Sequence, residues 1–87
     1  MTDHSYLKFP CDFPIKVMGP AGFDFEAKII TIVRKHAPDL KETAVQTRLS
    51  KDGNYQAITV HIEATSKEQL DSIYTELHNE KDVLMTL

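Results

Sequence analysis

His61 and Glu63 are the pair of residues whose types and spacing best fit proton-transfer chemistry in this sequence. They lie two apart in the alternating run from Tyr55 to Thr65, so in a strand they share one face, where a carboxylate could assist a histidine base. Proton transfer also requires a pocket, and one open face of a small sheet provides little concavity. We therefore predict that the protein is not an enzyme, and we keep a small enzyme that uses this face as the weaker alternative.

The residue types that bind metals or act as nucleophiles are scattered along the chain. Cys11 is the only cysteine, which excludes an intramolecular disulfide and a C-x-x-C motif. The histidines, His4, His36, His61 and His78, show no recurring spacing. We predict no metal site and no cofactor, and we expect Cys11 to be a small apolar side chain at the edge of the core.

The segment Gly19, Pro20, Ala21 and Gly22 is the candidate ligand-binding loop. It lies between the end of a predicted strand and the start of a predicted helix, where free backbone N–H groups can hold a carboxylate or a phosphate. Its spacing does not match a dinucleotide or Walker motif. The alternative is a tight turn that needs its glycines for conformational reasons.

Hydrophobic periodicity predicts the elements that must position these residues. Alternation predicts strands over residues 13–18, 44–50, 55–65 and 83–87, and a 3.6-residue period predicts helices over residues 23–37 and 66–79, the second opened by Ser66 with Gln69 three residues later. The order β-α-β-β-α-β predicts an α+β, ferredoxin-like fold with a four-stranded antiparallel sheet and two helices on one face. We expect a loosely ordered arm over residues 1–12 and one domain over residues 13–87.

The predicted topology leaves one face of the sheet open. Alternation places mostly polar residues on it: Lys16, Met18, Gln46, Arg48, Thr59, His61, Glu63, Leu84 and Thr86.

The first helix has a wider apolar surface than one sheet requires. Phe23, Ile30 and Val33 lie on its predicted inner side, and Phe25 and Ile32 lie on the flank of that stripe. We interpret Phe25 and Ile32 either as a cover for the sheet edge or as part of an interface with another chain, and the periodicity leaves both readings open.

Composition narrows the classes of partner. The 87 residues carry a formal net charge of −3, which gives no general attraction to nucleic acid or anionic lipid. The first residues lack the apolar run of a secretory signal, and no apolar stretch approaches the roughly 18 residues of a membrane span. We predict a cytoplasmic protein that binds neither nucleic acid nor membrane.

Several short segments together carry a family resemblance, which covers nearly everything from Phe13 onward. They are Lys16-Val17-Met18-Gly19, His36-Ala37-Pro38, Ser50-Lys51, Gly53-Asn54-Tyr55, Glu68-Gln69, Tyr74, Glu76-Leu77, and Val83 with Met85 and Leu87. In this order the chain resembles the small bacterial family typified by YbeD, whose function is uncharacterised. Asp52 is an extra residue in the hairpin turn and the N-terminal arm differs, so the resemblance is not carried over to those regions.

The resemblance implies a ferredoxin-like fold similar to ACT regulatory domains, which bind small metabolites at subunit interfaces beside the first strand-helix loop, here Gly19 to Gly22. It also implies pairing through sheet edges or helices, and a link to lipoate metabolism. We expect a small regulatory or binding module that senses a metabolite or docks on a protein, either itself or another. A purely structural adaptor is the alternative.

Overall fold

The structure of the protein, a computed structural model, describes residues 7–87. Its strands are β1 (Cys11–Pro20), β2 (Val45–Leu49), β3 (Tyr55–Ala64) and β4 (Met85–Thr86), and its helices are α1 (Phe23–His36) and α2 (Lys67–Asn79). A short 3₁₀ turn over Glu42–Ala44 leads into β2. No helix in this part of the chain is long and apolar enough to cross a membrane.

The sheet is antiparallel with the strand order β2-β3-β1-β4. The two ten-residue strands form its centre, paired from Cys11 opposite Ala64 to Pro20 opposite Tyr55. Both helices bury their apolar stripes against the same sheet face, so the predicted ferredoxin-like α+β fold is confirmed. The core on that face consists mainly of Ile15, Val17, Ile29, Val33, Ile58, Val60, Leu70, Ile73 and Leu77.

The sheet begins earlier in the chain than predicted. β1 starts at Cys11, and Leu7 and Phe9 pack partly buried against the core. Residues 11 and 12, which the sequence analysis assigned to a loosely ordered arm, belong to β1 instead. Leu7 and Phe9 attach the preceding segment to the core. Cys11 also packs at the core edge, as predicted. Residues 1–6, which include His4, lie outside the described residues.

Helix α1 turns a different face to the sheet from the one predicted. Phe25, Ile29 and Val33, spaced four apart, are its buried residues, and Phe25 is only 3% exposed. Phe23 is 89% exposed instead. The reading of Phe25 as an interface residue is therefore wrong, because its ring lies over Gly19 of β1, where the lack of a side chain leaves room for it. Ile32 is half-buried beside the core.

Helix α2 begins as the sequence predicts. Ser66 Oγ accepts a hydrogen bond from the Gln69 N–H at 3.0 Å, while Gln69 Oε1 accepts from the Thr65 N–H at 2.7 Å. Gln69 Nε2 also donates to the His36 carbonyl at 2.9 Å. One glutamine side chain thus caps the start of α2 and binds the end of α1.

Strand β4 contains an irregularity that alternation could not predict. Met85 is the register partner of Met18, yet the Leu84 N–H also donates to the Met18 carbonyl at 2.8 Å. Two residues therefore oppose one, which is the geometry of a β-bulge. Beyond the bulge, Leu87 and Lys16 exchange hydrogen bonds of 2.8 and 3.2 Å.

The bulge reverses which residues of β4 face the helices. Thr86 is opposite the buried Val17, and its Oγ1 lies 2.9 Å from His78 Nε2 of α2. The predicted position of Thr86 on the open face is therefore wrong. Met85 and Leu87 lie on the open face instead, 53% and 64% exposed.

Candidate functional site

The open face of the sheet is the candidate binding surface, because strand register brings separated residues into rows across it. Lys16 of β1 lies opposite Thr59 of β3, and Thr59 lies opposite Gln46 of β2. The neighbouring row joins Met18, Ala57 and Arg48 in the same order. The six predicted members of the open face do share it: Lys16, Met18, Arg48, Thr59, His61 and Glu63.

A groove of about 720 Å³ lies over these two rows. The cations Lys16 and Arg48 line it from β1 and β2, the residues Ala57 and Thr59 line it from β3, and Leu87 lines it from the C-terminal strand segment. None of the residues that line the groove is acidic. The groove can therefore accept an anionic group together with a modest apolar side chain.

The cations of this groove differ from three lysines of the helix layer. Lys28, Lys35 and Lys67 each contact a carboxylate at 2.6 to 3.1 Å. The hydrogen bond between Lys28 and Asp82 raises the pKa of the lysine and lowers the pKa of the carboxyl group. Among residues 7–87, neither Lys16 nor Arg48 has an anionic partner.

His61 and Glu63 lie farther along β3, where β2 has not yet begun. Their register partners on β1 are Pro14 and Asp12, and both side chains are exposed. They border a second groove of about 520 Å³, formed with the segment that precedes β2. No hydrogen bond joins His61 to Glu63 or to any other described residue, so the orientation that a general base needs is not built here.

The loop between β1 and α1 is shorter than predicted. Gly19 and Pro20 belong to β1, and Gly19 is a buried strand residue, so its placement in a loop is wrong. Ala21 donates its N–H to the Asn54 carbonyl at 3.0 Å. Gly22 precedes the helix with a φ of 131°, a conformation that favours glycine.

Gln56 of β3 binds the backbone on both sides of this loop, and the sequence interpretation missed it. It is 4% exposed, and its Nε2 donates to the carbonyls of Pro20 and Gly22, both at 2.9 Å. The available signal was its position: Gln56 begins the inward series of β3 that continues with Ile58 and Val60. A polar residue at an inward position requires buried hydrogen-bond partners.

The first turn of α1 carries the carboxylates Asp24 and Glu26. These groups already place negative charge at the positive end of the helix dipole, which opposes a further anion there. In the described part of the chain, no group of three or more His, Cys, Asp and Glu side chains could hold a metal ion.

Comparison with known proteins places the chain among uncharacterised bacterial relatives. A UPF0250 protein of Nitrosomonas europaea is 44% identical over 87 residues, with all of both chains covered. A UPF0250 protein of Paraburkholderia phytofirmans is 46% identical, covering 87% of this chain and 85% of its own. One from Neisseria meningitidis serogroup C is 43% identical, with 95% and 91% covered.

A solved structure agrees with the fold. The solution structure of protein HP0495 from H. pylori superposes with a TM-score of 0.72 at 12% identity, covering 100% of this chain and 96% of that one. The family model described as protein of unknown function (DUF493) matches residues 4–87. The YbeD-like resemblance is thereby confirmed, and the chain belongs to the DUF493/UPF0250 family of small bacterial proteins.

Proposed function

We propose that this protein is a small binding module that acts by association with another protein, using the open face of its sheet. One observation carries the proposal: Lys16 and Arg48 line a groove that has no acidic residue, and neither cation has an anionic partner among residues 7–87. What distinguishes this place is that the two cations share one groove without an acidic side chain. A surface that leaves two cations unneutralised is suited to recognition by charge.

The apolar side chains next to the groove support a protein partner. Met85 and Leu87 are more than half exposed on the same face as Met18. Apolar area beside unpaired cations matches the composition of protein interfaces, in which methionine and arginine are enriched. Burial of this area would add affinity, while the cations would fix orientation.

Two earlier predictions compete with this one. Metabolite sensing beside the β1–α1 connection remains a prediction for Gly19, Pro20, Ala21 and Gly22. It requires a small molecule that stays bound during purification. The enzyme alternative requires turnover that depends on His61. The cytoplasmic location, a regulatory role and a link to lipoate metabolism also remain predictions.

The test compares two identical substitutions on opposite sides of the molecule. Thr59→Phe fills the groove, whereas Thr75→Phe places the same ring on the exposed surface of α2. We expect native mass spectrometry of the tagged protein, purified gently from its own cells, to show a stoichiometric protein with the wild type and with Thr75→Phe. Thr59→Phe should lose that partner while circular dichroism stays unchanged.

Three outcomes would contradict the proposal. If every sample contained only the chain itself, the proposed association with another protein would be contradicted. A partner that Thr59→Phe retains at the wild-type level would move the interface away from the groove. A chain that carries only a small extra mass, lost in no variant of the sheet face, would favour metabolite sensing.

A further inference from the structure

We infer that the groove recognises an acidic, extended segment of the partner, in which two carboxylates lie four residues apart with an apolar residue midway between them. Lys16 and Arg48 would hold the carboxylates, and Ala57 with Thr59 would lie under the apolar side chain. This inference rests on the proposed function and specifies the chemistry of the occupant.

The groove attracts an acidic occupant, although the molecule as a whole carries a net negative charge. The chain has 13 acidic and 10 basic residues, so its overall field repels anions. The groove contains two cations and no acidic side chain. The acidic residues of the open face, Asp12 and Glu63, are register partners of each other. Asp12 lies four residues before Lys16 in β1, which is about 13 Å along an antiparallel strand.

The geometry of the sheet sets the spacing of the two carboxylates. Lys16 is in β1 and Arg48 is in β2, with β3 between them. Arg48 belongs to the row of Ala57 and Met18, which is next to the row of Lys16 on the same face. Strand spacing and rise give a Cα separation of about 12 Å. In an extended peptide, residues i and i+4 point the same way and are separated by about 13 Å.

Residue i+2 of such a peptide points to the same side, between the two carboxylates. It would lie over Ala57 and Thr59, the small side chains of β3 that form the floor between the two cations. Residues i+1 and i+3 would point to solvent, so their identity would matter little. The expected recognition pattern is therefore acid-x-apolar-x-acid.

The probe is a seven-residue peptide with blocked ends and the sequence SESVSES, titrated into the full-length, isotope-labelled protein and followed by amide NMR shifts. Its control is SQSVSQS, which keeps the shape and removes both charges. We expect saturable shifts in β1, β2 and β3 around the groove for the acidic peptide alone. The apparent Kd should rise several-fold between 20 and 300 mM salt, because exposed ion pairs are screened.

Two double variants with the same net charge separate local from global effects. Lys16→Glu with Arg48→Glu reverses the groove, and Lys41→Glu with Lys81→Glu reverses two exposed lysines that do not line it. The groove variant should weaken binding about tenfold or more, since each exposed ion pair changes an equilibrium constant up to about fivefold. The control variant should bind within about twofold of the wild type.

Four results of the titrations would each overturn the inference, and two further results would also do so. The four are absence of shifts at millimolar SESVSES, equal binding of SQSVSQS, equal binding by the groove variant, and equal shifts from inorganic phosphate alone. If a twelve-residue oligouridylate bound at the same amides more tightly than SESVSES, the occupant of the groove would be RNA rather than an acidic peptide. A cellular partner retained by the groove variant but lost by Thr59→Phe would refute this inference while leaving the proposed function intact.

Discussion

Replacement of Gly19 by alanine tests the packing that fixes α1 on the sheet. A Cβ built on Gly19 would lie 2.5 and 2.6 Å from two ring carbons of Phe25, with a third ring carbon closer still. Ordinary carbon contacts are about 3.5 to 4.0 Å. Because Phe25 is 3% exposed, its ring cannot move into solvent without leaving the core. The methyl group added to β1 must therefore push α1 outward or force the Phe25 ring from its rotamer.

The expected cost follows from these contacts. Overpacking of a tight core costs about 1 to 3 kcal/mol. Alanine also lowers the entropy of the unfolded chain, which returns about 0.4 to 1 kcal/mol. We expect Gly19→Ala to lower the free energy of unfolding by about 1 to 2 kcal/mol, or Tm by about 5 to 15 °C for a domain of this size. Gly19→Val should cost more.

A double-mutant cycle identifies Phe25 as the cause. Phe25→Leu removes the ring carbons that Gly19→Ala would meet, so the double variant should be more stable than the sum of the single effects by at least about 1 kcal/mol. The matched control is Gly22→Ala, which meets no atom within 4 Å but strains a φ of 131°. The loss of stability caused by Gly22→Ala should be independent of Phe25→Leu. Urea unfolding would measure the free energy of unfolding of the wild type, the three single variants and the two double variants with Phe25→Leu. Wild-type stability of Gly19→Ala, or coupling of Phe25 to Gly22 instead, would refute the reasoning.

Three further predictions concern the hydrogen bonds that join the elements. Gln56→Leu should cost about 1 to 3 kcal/mol in urea unfolding, because it leaves the carbonyls of Pro20 and Gly22 without their buried donor. Ser66→Ala should cost about 1 kcal/mol through the lost cap of α2, whereas Ser72→Ala on the exposed side of the same helix should be nearly neutral. Hydrogen bonds from Lys35 and His36 lower the pKa of Glu76, so the stabilisation from its carboxylate is complete above the unfolded-state pKa and is lost as pH falls through the lower folded-state pKa. Glu76→Gln should therefore flatten the dependence of the free energy of unfolding on pH between about pH 5 and pH 3.

The sequence predicted those parts of the fold in which a long pattern had one consistent solution. The alternation of β3 identified Ile58, Val60, Ile62 and Ala64 as inward residues, and all four are buried. A single register error would have turned them all to solvent, so a strand of this length determines its own orientation. The members of the open face on β1 and β3 followed from the same constraint.

The orientation of α1 could not be predicted because its apolar residues cover more than one stripe. Successive residues of a helix are about 100° apart around its axis, so Phe23 and Phe25 lie on nearly opposite sides. Only one of the two rings can face the sheet. The choice depends on Gly19, which belongs to β1 rather than to α1 and has no side chain to appear in a hydrophobic pattern. The information lies in a contact between elements, which periodicity within one element does not contain.

The candidate site was predicted only in part. Lys16 and Arg48 were placed on the open face correctly, but their common groove depends on Leu87, whose position follows from the bulge at Leu84 and Met85. Strict alternation had turned Leu87 inward. An inserted residue reverses the faces of everything beyond it, and nothing in the local sequence distinguishes it from a regular strand.

The bulge of β4 also bears on solubility. A flat edge strand presents unpaired N–H and C=O groups that can template the addition of strands from other molecules, and this edge also exposes apolar side chains. The bulge twists the edge locally, and the regular pairing with β1 extends only from Met85 to Leu87. A short, twisted edge offers fewer evenly spaced groups for the addition of another strand. Removal of the bulge by deletion of Leu84 would lengthen the regular edge, and we expect faster aggregation at 37 °C, measured by light scattering, even where the folded state survives.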